Sequence, residues 1–124
     1  MVQTNKIELG KIGESIALET AKRRGYQMVA TNVRTPYGEI DLILKTTHQL
    51  IFAEVKTRTS FSFGYPEQAI TTLKLSHMIQ SAQFYMLQNN LRDEYRIDVI
   101  SILYDSNKHQ VANLEWIENV TASE

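Results

Sequence analysis

Two apolar segments joined by a short polar loop constrain the fold of this chain more than any other feature of its sequence. Glu39 to Lys45 and Leu50 to Thr57 each have the length of a strand, and Thr46-Thr47-His48-Gln49 between them predicts a hairpin. Both segments are largely apolar, so the residues that alternate to opposite faces of a sheet are apolar on both faces. We therefore expect a sheet with helices packed on both sides.

The rest of the sequence predicts helices and strands that fit such a sheet. A first helix is expected from about Lys6 to Arg24, ended by Gly25, and a second, longer helix from Pro66 to Asn90. Three more strands are predicted: Tyr26 to Asn32, Tyr95 to Tyr104 and Val111 to Ile117. The order is α-β-β-β-α-β-β, which we interpret as one domain over residues 1–119 with a frayed tail over residues 120–124.

The composition also favours one folded domain. The chain has 124 residues, 43% of them hydrophobic, which is enough for a core and too many for a disordered protein. It has no cysteine, so disulfide bonds and thiolate metal sites are excluded. No apolar run near the first residue predicts a signal peptide, and no segment reaches the roughly 18 apolar residues of a membrane span. We expect a cytoplasmic protein with no membrane partner.

The charge is small overall but uneven along the chain. The formal net charge is −1, yet residues 1–75 hold ten basic and seven acidic residues, while residues 76–124 hold three and seven. A basic half fits a nucleic-acid partner, and an ordinary mixed surface fits the same charges equally well. Charge alone therefore leaves the class of partner open.

The length of the hairpin loop predicts which residues lie opposite each other. Paired positions have numbers that sum to about 95. Asp41 then faces Glu54 and Glu39 faces Lys56, on the face that also carries Ile43. Phe52, opposite Ile43, lies on this face too. The opposite face carries only apolar side chains: Ile40, Leu42, Leu44, Ile51, Ala53 and Val55. Asp41 and Glu54 are thus two opposed acidic residues on a largely apolar face.

This acidic pair has two explanations. Opposed side chains have Cβ atoms about 5 Å apart, so two like charges destabilise the sheet unless a cation lies between them. Mg²⁺ prefers oxygen ligands, and Lys56, two residues after Glu54, could hold a phosphate oxygen or assist an attacking water. That set predicts hydrolysis of phosphodiesters. An ordinary ion pair of Glu54 with Lys56, worth little in stability, explains the same residues, and the pattern leaves both alternatives open.

The first predicted helix carries a further carboxylate. At 100° per residue, Gly10, Gly13, Glu14, Ala17 and Ala21 lie on one narrow stripe. A stripe of small residues lets the helix approach its neighbour closely. Glu14 is the exception on that stripe, so we expect it to be partly buried and to need a partner.

Two motifs in the hairpin resemble those of a known family. Gly38-Glu39-Ile40-Asp41-Leu42-Ile43 and Phe52-Ala53-Glu54-Val55-Lys56-Thr57-Arg58 resemble the YraN family of small bacterial proteins. The match continues through most of the chain, at Gly10 to Ala17, Gly25-Tyr26, Asn32 with Arg34, Gly64 with Pro66, Ala69 with Lys74, and Arg96 with Asp98. Members of that family look like restriction-endonuclease-fold nucleases related to archaeal Holliday-junction resolvases. The resemblance implies an α/β domain of that type, a central mixed β-sheet flanked by helices on both faces.

The resemblance also implies a role for each matching residue. Asp41 and Glu54 look like catalytic carboxylates that bind Mg²⁺ or Mn²⁺, and Lys56 looks like the active-site lysine. Glu14 matches the glutamate of the first helix that completes the metal shell. A further group is expected to contact nucleic acid: Lys11, Arg34, Arg58, Gln68 and Lys74. For Arg58 a structural salt bridge is an equal alternative.

The function expected from these residues is a Mg²⁺- or Mn²⁺-dependent endonuclease that acts on DNA rather than RNA, with branched or flapped DNA as candidate substrates. The alternative is a nucleic-acid-binding module of the same fold with weak or no catalysis, which the small net charge favours. A protein-interaction adaptor is a third class. A homodimer with two sites stays open.

Overall fold

The computed structural model describes residues 5–60 and 70–121. Within those ranges the helices and strands are α1 Lys6–Arg23, β1 Gln27–Thr35, β2 Gly38–Lys45, β3 Gln49–Arg58, α2 Thr72–Gln88, β4 Glu94–Asp105 and β5 Gln110–Ile117. The order α-β-β-β-α-β-β predicted from the sequence is confirmed. Neither helix is both long enough and apolar enough to cross a membrane.

The sheet is mixed, as expected. Its five strands lie in the order β1-β2-β3-β4-β5. Strands β3 and β4 are parallel, and the other neighbouring pairs are antiparallel. The parallel pair needs a crossover between β3 and β4, and α2 lies in that connection. The α/β class with a helix on each face is therefore confirmed.

The core consists of two apolar clusters, one on each face of the sheet. We call these faces the α1 face and the α2 face, after the helix that covers each. On the α1 face, Ala17 and Ala21 pack with Leu42, Leu44, Ile51, Ala53, Ile100 and Ile102. On the α2 face, Ala82 and Met86 pack with Ile40, Ile43, Leu50, Phe52 and Ile97. Alternate residues of the central strands thus serve opposite clusters, which explains why the hairpin is apolar on both faces.

Helix α1 lies very close to strand β3 at Gly13. A Cβ atom built on Gly13 would lie 2.8 Å from the Cβ of Thr57, closer than real side chains come. Gly13, Ala17 and Ala21 are buried and Glu14 is half-buried, so the predicted small-residue stripe is confirmed. The close approach places Glu14 over the sheet.

Helix α2 begins later than the sequence analysis predicts. Thr71 is its N-cap residue, with extended backbone (φ −87°, ψ 162°), and the Thr71 hydroxyl accepts a hydrogen bond from the backbone N–H of Lys74. The cap satisfies one of the free N–H groups of the first turn, which fixes the start of the helix at Thr72. The predicted start at Pro66 lies outside the described residues. Ile70, which the prediction included in the helix, precedes it.

The predicted hairpin register is confirmed for only part of its length. The pairs run from Lys45 with Leu50 to Leu42 with Ala53 and end there. Asp41 and Glu54 are therefore not cross-strand partners, and neither are Glu39 and Lys56. Beyond Leu42 the Asp41 carboxylate accepts a hydrogen bond of 2.8 Å from the backbone N–H of Val55, a position that a ladder partner would otherwise occupy.

The alternation of faces also breaks at Asp41. Ile40 packs on the α2 face with Ile43, three residues away, whereas the sequence analysis placed Ile40 on the opposite face with Leu42. In β1 the same spacing of three separates Ala30 and Val33, which both pack on the α2 face. Between them Asn32 has a positive φ of 50°. Strict alternation is therefore interrupted in two adjacent strands, at Asp41 in β2 and near Asn32 in β1.

Asp98 anchors the chain segment that follows β5. Its buried carboxylate accepts hydrogen bonds from Arg96 Nε at 3.1 Å, Trp116 Nε1 at 2.8 Å and the backbone N–H of Asn119 at 2.9 Å. One residue further, the N–H of Val120, which the sequence analysis assigned to the tail, donates to the Ile97 carbonyl at 2.8 Å. Asp98 thus has a structural role, and it lies outside the candidate site.

Candidate active site

Three carboxylates converge where β2 and β3 separate. Glu14 comes from α1, and Glu39 and Asp41 come from β2. One oxygen of each lies within 4.8 Å of the others, so the three could hold a metal ion. Carboxylate oxygens are the ligands that Mg²⁺, Mn²⁺ and Ca²⁺ prefer. We call this group the carboxylate cluster.

Within the carboxylate cluster, burial and neighbouring charges act strongly on the ionisation of Asp41. Burial first, and then the nearby charge of Glu54, raise the pKa of Asp41 from 3.8 to about 7. The pKa of about 7 already includes a lowering by the hydrogen bond from the N–H of Val55 and smaller increases from the charges of Glu14 and Glu39. Negative charge is therefore concentrated around Asp41, and a divalent cation would relieve the repulsion.

Asn32 connects two members of the cluster. Its side-chain Nδ2 donates to Glu14 Oε1 at 3.2 Å and Oε2 at 3.1 Å, and to Glu39 Oε1 at 3.1 Å. The small-residue stripe predicts a partner for Glu14 but does not indicate which residue it is. The predicted hairpin register places Glu39 opposite Lys56, and the sequence analysis gives Asn32 no role. The available signal was an asparagine, a residue that tolerates positive φ, within a predicted strand.

Glu54 is close to the cluster but has a different partner. Its Oε2 lies 3.0 Å from Nζ of Lys74 on α2, and the Glu54 side chain is 12% exposed. Among the described residues, the structure thus groups two of the three predicted metal ligands, Glu14 and Asp41, with Glu39. Glu54 still acts on Asp41, since its charge raises the Asp41 pKa.

A groove of about 570 Å³ on the α1 face is lined by two members of the carboxylate cluster. Glu14 and Asp41 line it together with three basic residues, Lys6, Lys56 and Arg58. Lys6, which the sequence analysis did not select, comes from the first turn of α1. The groove therefore combines carboxylates that could hold a cation with cations that could hold phosphate oxygens. We call it the α1 groove.

The other residues expected to contact nucleic acid lie in several places. Lys11 lines a different groove, between α1 and β5. Arg34 is exposed on β1, where its backbone pairs with Glu39. Lys74 lies on α2 and pairs with Glu54, and Gln68 lies outside the described residues. Of the expected basic contacts, Arg58 is the one that lines the α1 groove.

A second cavity, of about 210 Å³, lies on the α2 face. Phe52 and Met78 form part of its apolar lining, and Glu39, Glu54 and Lys74 line its polar part. Near it, a hydrogen bond of 2.9 Å joins the hydroxyls of Thr35 and Ser81, which connects the β1–β2 turn to α2. Because Glu54 lines this cavity and the α1 groove, the two are neighbours across the sheet.

Known proteins similar to this chain were found at the level of sequence and of structure. The sequence profile of the uncharacterised protein family UPF0102 matches residues 13–102. A UPF0102 protein of Caldicellulosiruptor saccharolyticus is 39% identical over 116 residues, covering 93% of this chain and 98% of the relative. A second, from Caldanaerobacter subterraneus subsp. tengcongensis, is 34% identical over 120 residues, covering 96% and 98%. The crystal structure of an fdxN element excision controlling factor protein from Anabaena variabilis covers 86% of this chain and 98% of its own, at 14% identity and a TM-score of 0.38.

Proposed function

The chain belongs to the uncharacterised protein family UPF0102, the YraN family that its motifs resemble, and from that premise we propose that it is a Mg²⁺- or Mn²⁺-dependent endonuclease that hydrolyses phosphodiester bonds of DNA. The observation that carries the proposal is the convergence of Glu14, Glu39 and Asp41 within 4.8 Å. Two of these carboxylates, Glu14 and Asp41, line a groove that Lys56 and Arg58 also line. Oxygen ligands for a divalent cation and cations for a phosphate are the parts that this hydrolysis requires.

The three carboxylates fit the proposed cation in number and chemistry. All are oxygen ligands. Burial, and then the charges of Glu54, Glu14 and Glu39, raise the pKa of Asp41, and a cation would offset both the burial of this carboxylate and the repulsion from its neighbours. When bound, the cation would lower the pKa of a water and offset the charge that develops at the phosphorus. The hydrogen bond from Val55 fixes the Asp41 carboxylate at its place in the groove.

Lys56 and Arg58 act on the substrate in this proposal. Both line the α1 groove beside the carboxylate cluster. The Lys56 ammonium would orient the attacking water or hold a non-bridging oxygen, and the planar Arg58 guanidinium suits a phosphate on either side of the cleaved bond. Neither residue supplies ligands to the cation, so their removal should reduce cleavage more than metal binding.

Glu54 is the remaining carboxylate that the sequence predicts as a metal ligand, and it would need a change of partner to bind the cation. Its ion pair with Lys74 is 3.0 Å long, and the Lys74 side chain is 46% exposed. A bound cation would replace the Lys74 ammonium as the partner of the Glu54 carboxylate, so this mostly buried group would stay paired, and Lys74 would then be available to a phosphate.

Cleavage assays with matched variants test the proposal. The protein is incubated with duplex, single-stranded, flapped and four-way-junction DNA in Mn²⁺. Glu14→Gln should reduce cleavage at least about tenfold, whereas Glu19→Gln, the same change on the exposed side of α1, should leave it unchanged. Lys56→Ala should reduce cleavage by at least about 100-fold, with Lys45→Ala on β2 as its control. Cleavage that survives Asp41→Ala or Lys56→Ala would contradict the proposal.

A nucleic-acid-binding module without catalysis is the second candidate. The observation in its favour is the net charge of −1, which gives a free-standing nuclease little attraction for DNA. Calorimetry with Mg²⁺ and Mn²⁺ distinguishes the two. No heat of metal binding, together with a DNA affinity that Glu54→Gln leaves unchanged, would favour the binding module. Binding to neither metal nor DNA would indicate a protein-interaction adaptor.

A further inference from the structure

We propose that Asn32 is a positioning residue that holds Glu14 and Glu39 in the arrangement a divalent cation requires. The inference rests on the proposed function, because it concerns the same carboxylate cluster. It assigns a task to a residue that is neither a ligand nor a contact of the substrate. Its basis is the contacts of the Asn32 side chain and the conformation of its backbone.

The amide of Asn32 lies between two like charges. Its Nδ2 is 3.1 to 3.2 Å from both oxygens of Glu14 and 3.1 Å from Oε1 of Glu39. The carboxylates of Glu14 and Glu39, which have oxygens within 4.8 Å of each other, repel each other. A neutral donor shared between them offsets part of that repulsion. Without the amide, Glu14 and Glu39 would separate in the metal-free protein, and the cation would have to bring them together again.

These hydrogen bonds are compatible with a bound cation. A carboxylate offers about four lone-pair sites, so an oxygen that accepts from the Asn32 amide can still bind a metal ion. In known metal sites, partners that orient the ligands in this way are worth about 10- to 100-fold in metal affinity. Glu14 and Glu39 belong to different elements, and Asn32 on β1 is a third, so the amide fixes α1 relative to the sheet at this point.

The backbone of Asn32 has an unfavourable conformation that orients its side chain. In the part of the chain that the structure describes, three other non-glycine residues have positive φ: Asn90, His109 and Asn119. Those three lie outside the strands, whereas Asn32, at φ 50°, lies inside β1. A left-handed residue costs about 1 kcal/mol or more and breaks the alternation of the strand. Here the break turns the Asn32 side chain towards the carboxylate cluster.

The variant Asn32→Gly distinguishes the effect of the side-chain amide from the effect of the backbone conformation. Glycine adopts positive φ without strain, so the variant keeps the irregular strand and loses only the hydrogen bonds. Asn90→Gly is the matched control, since Asn90 has φ 53° and lies just after α2. The readouts are the Mn²⁺ dissociation constant from calorimetry and the unfolding midpoint in urea without metal. We expect Asn32→Gly to weaken Mn²⁺ binding by about 10- to 100-fold and Asn90→Gly to leave it unchanged.

The possible outcomes separate this inference from the proposed function. Mn²⁺ binding by folded Asn32→Gly within about twofold of the wild type would overturn the inference, even if the wild type cleaves DNA. Wild-type protein that binds Mn²⁺ without cleaving DNA would overturn the endonuclease, while a loss of affinity in Asn32→Gly would still support the positioning role. Wild-type protein that binds no Mn²⁺ would overturn both.

Discussion

Asp41 shows how a single residue can serve a site at the expense of the fold. The pKa of about 7 means that the folded protein resists an ionisation that the unfolded chain completes above about pH 3.8. The free energy of unfolding is therefore highest below about pH 3.8, where Asp41 is protonated in both states, and it falls as the pH rises towards 7. The metal-free protein should therefore be less stable at neutral pH than its core would allow, as is common where charged groups are gathered for function.

Asp41→Asn should consequently stabilise the metal-free protein at neutral and higher pH. The asparagine carries no charge to bury, and its side-chain oxygen can still accept from the N–H of Val55. We expect a gain of about 1–3 kcal/mol at about pH 8, decreasing to nearly zero at about pH 4. Urea unfolding in EDTA across this pH range measures it.

The control for this change is Glu19→Gln, which also removes one negative charge. Glu19 is exposed and pairs only with Arg23 among the described residues, so its removal should change stability by no more than about 0.5 kcal/mol at any pH. Equal unfolding free energies for wild type and Asp41→Asn at pH 8 would show that the cluster does not destabilise the fold.

At the scale of elements, the contact of α1 with β3 determines where Glu14 lies. The stripe of small residues allows the helix to approach until Gly13 touches Thr57. Glu14 is the next residue along the helix, so any displacement of α1 at Gly13 also displaces its carboxylate from Glu39 and Asp41.

Gly13→Ala should therefore destabilise the protein. The new methyl group would overlap the Thr57 side chain, and overpacking of this kind costs about 1–3 kcal/mol. Gly10→Ala, one turn earlier in α1, is the matched control. No atom lies within 4 Å of its added Cβ, so alanine should stabilise the helix by up to about 1 kcal/mol. Urea unfolding gives both values, and destabilisation of similar size by the two changes would contradict the close approach.

Regular elements could be predicted from the sequence, and the irregular ones could not. The hairpin, the helix at Lys6 and the small-residue stripe all follow from periodic patterns that the structure keeps. The pairing of Asp41 with Glu54 assumed that strict alternation continues through β2, and it ends at Leu42. A deviation from periodicity depends on contacts between distant residues, here Asp41 with Val55 and Asn32 with Glu14. The pattern indicated which carboxylates are unusual but not which of them converge.

At the scale of the whole molecule, charge limits how this protein can bind DNA. The net charge is −1, and the carboxylate cluster adds local repulsion towards phosphates. The basic residues are not gathered on one surface. Lys11 and Lys74, for example, line other cavities than the α1 groove. Attraction to DNA should therefore come mainly from the few cations in the groove and from a bound metal ion.

The salt dependence of DNA binding measures how many cations take part. Each phosphate neutralised on duplex DNA contributes about −0.9 to the slope of log affinity against log salt concentration. Lys6, Lys56 and Arg58 line the α1 groove, so we expect a slope of about −3 for wild-type protein in EDTA between about 50 and 200 mM salt. Fluorescence anisotropy with labelled duplex DNA gives the slope. Lys56→Ala should reduce its magnitude by about one, whereas Lys11→Ala, outside the groove, should leave it unchanged. A slope of about −6 or steeper would mean that the DNA lies across a wider surface than the groove, and the assignment of the α1 groove as the binding site would then be wrong.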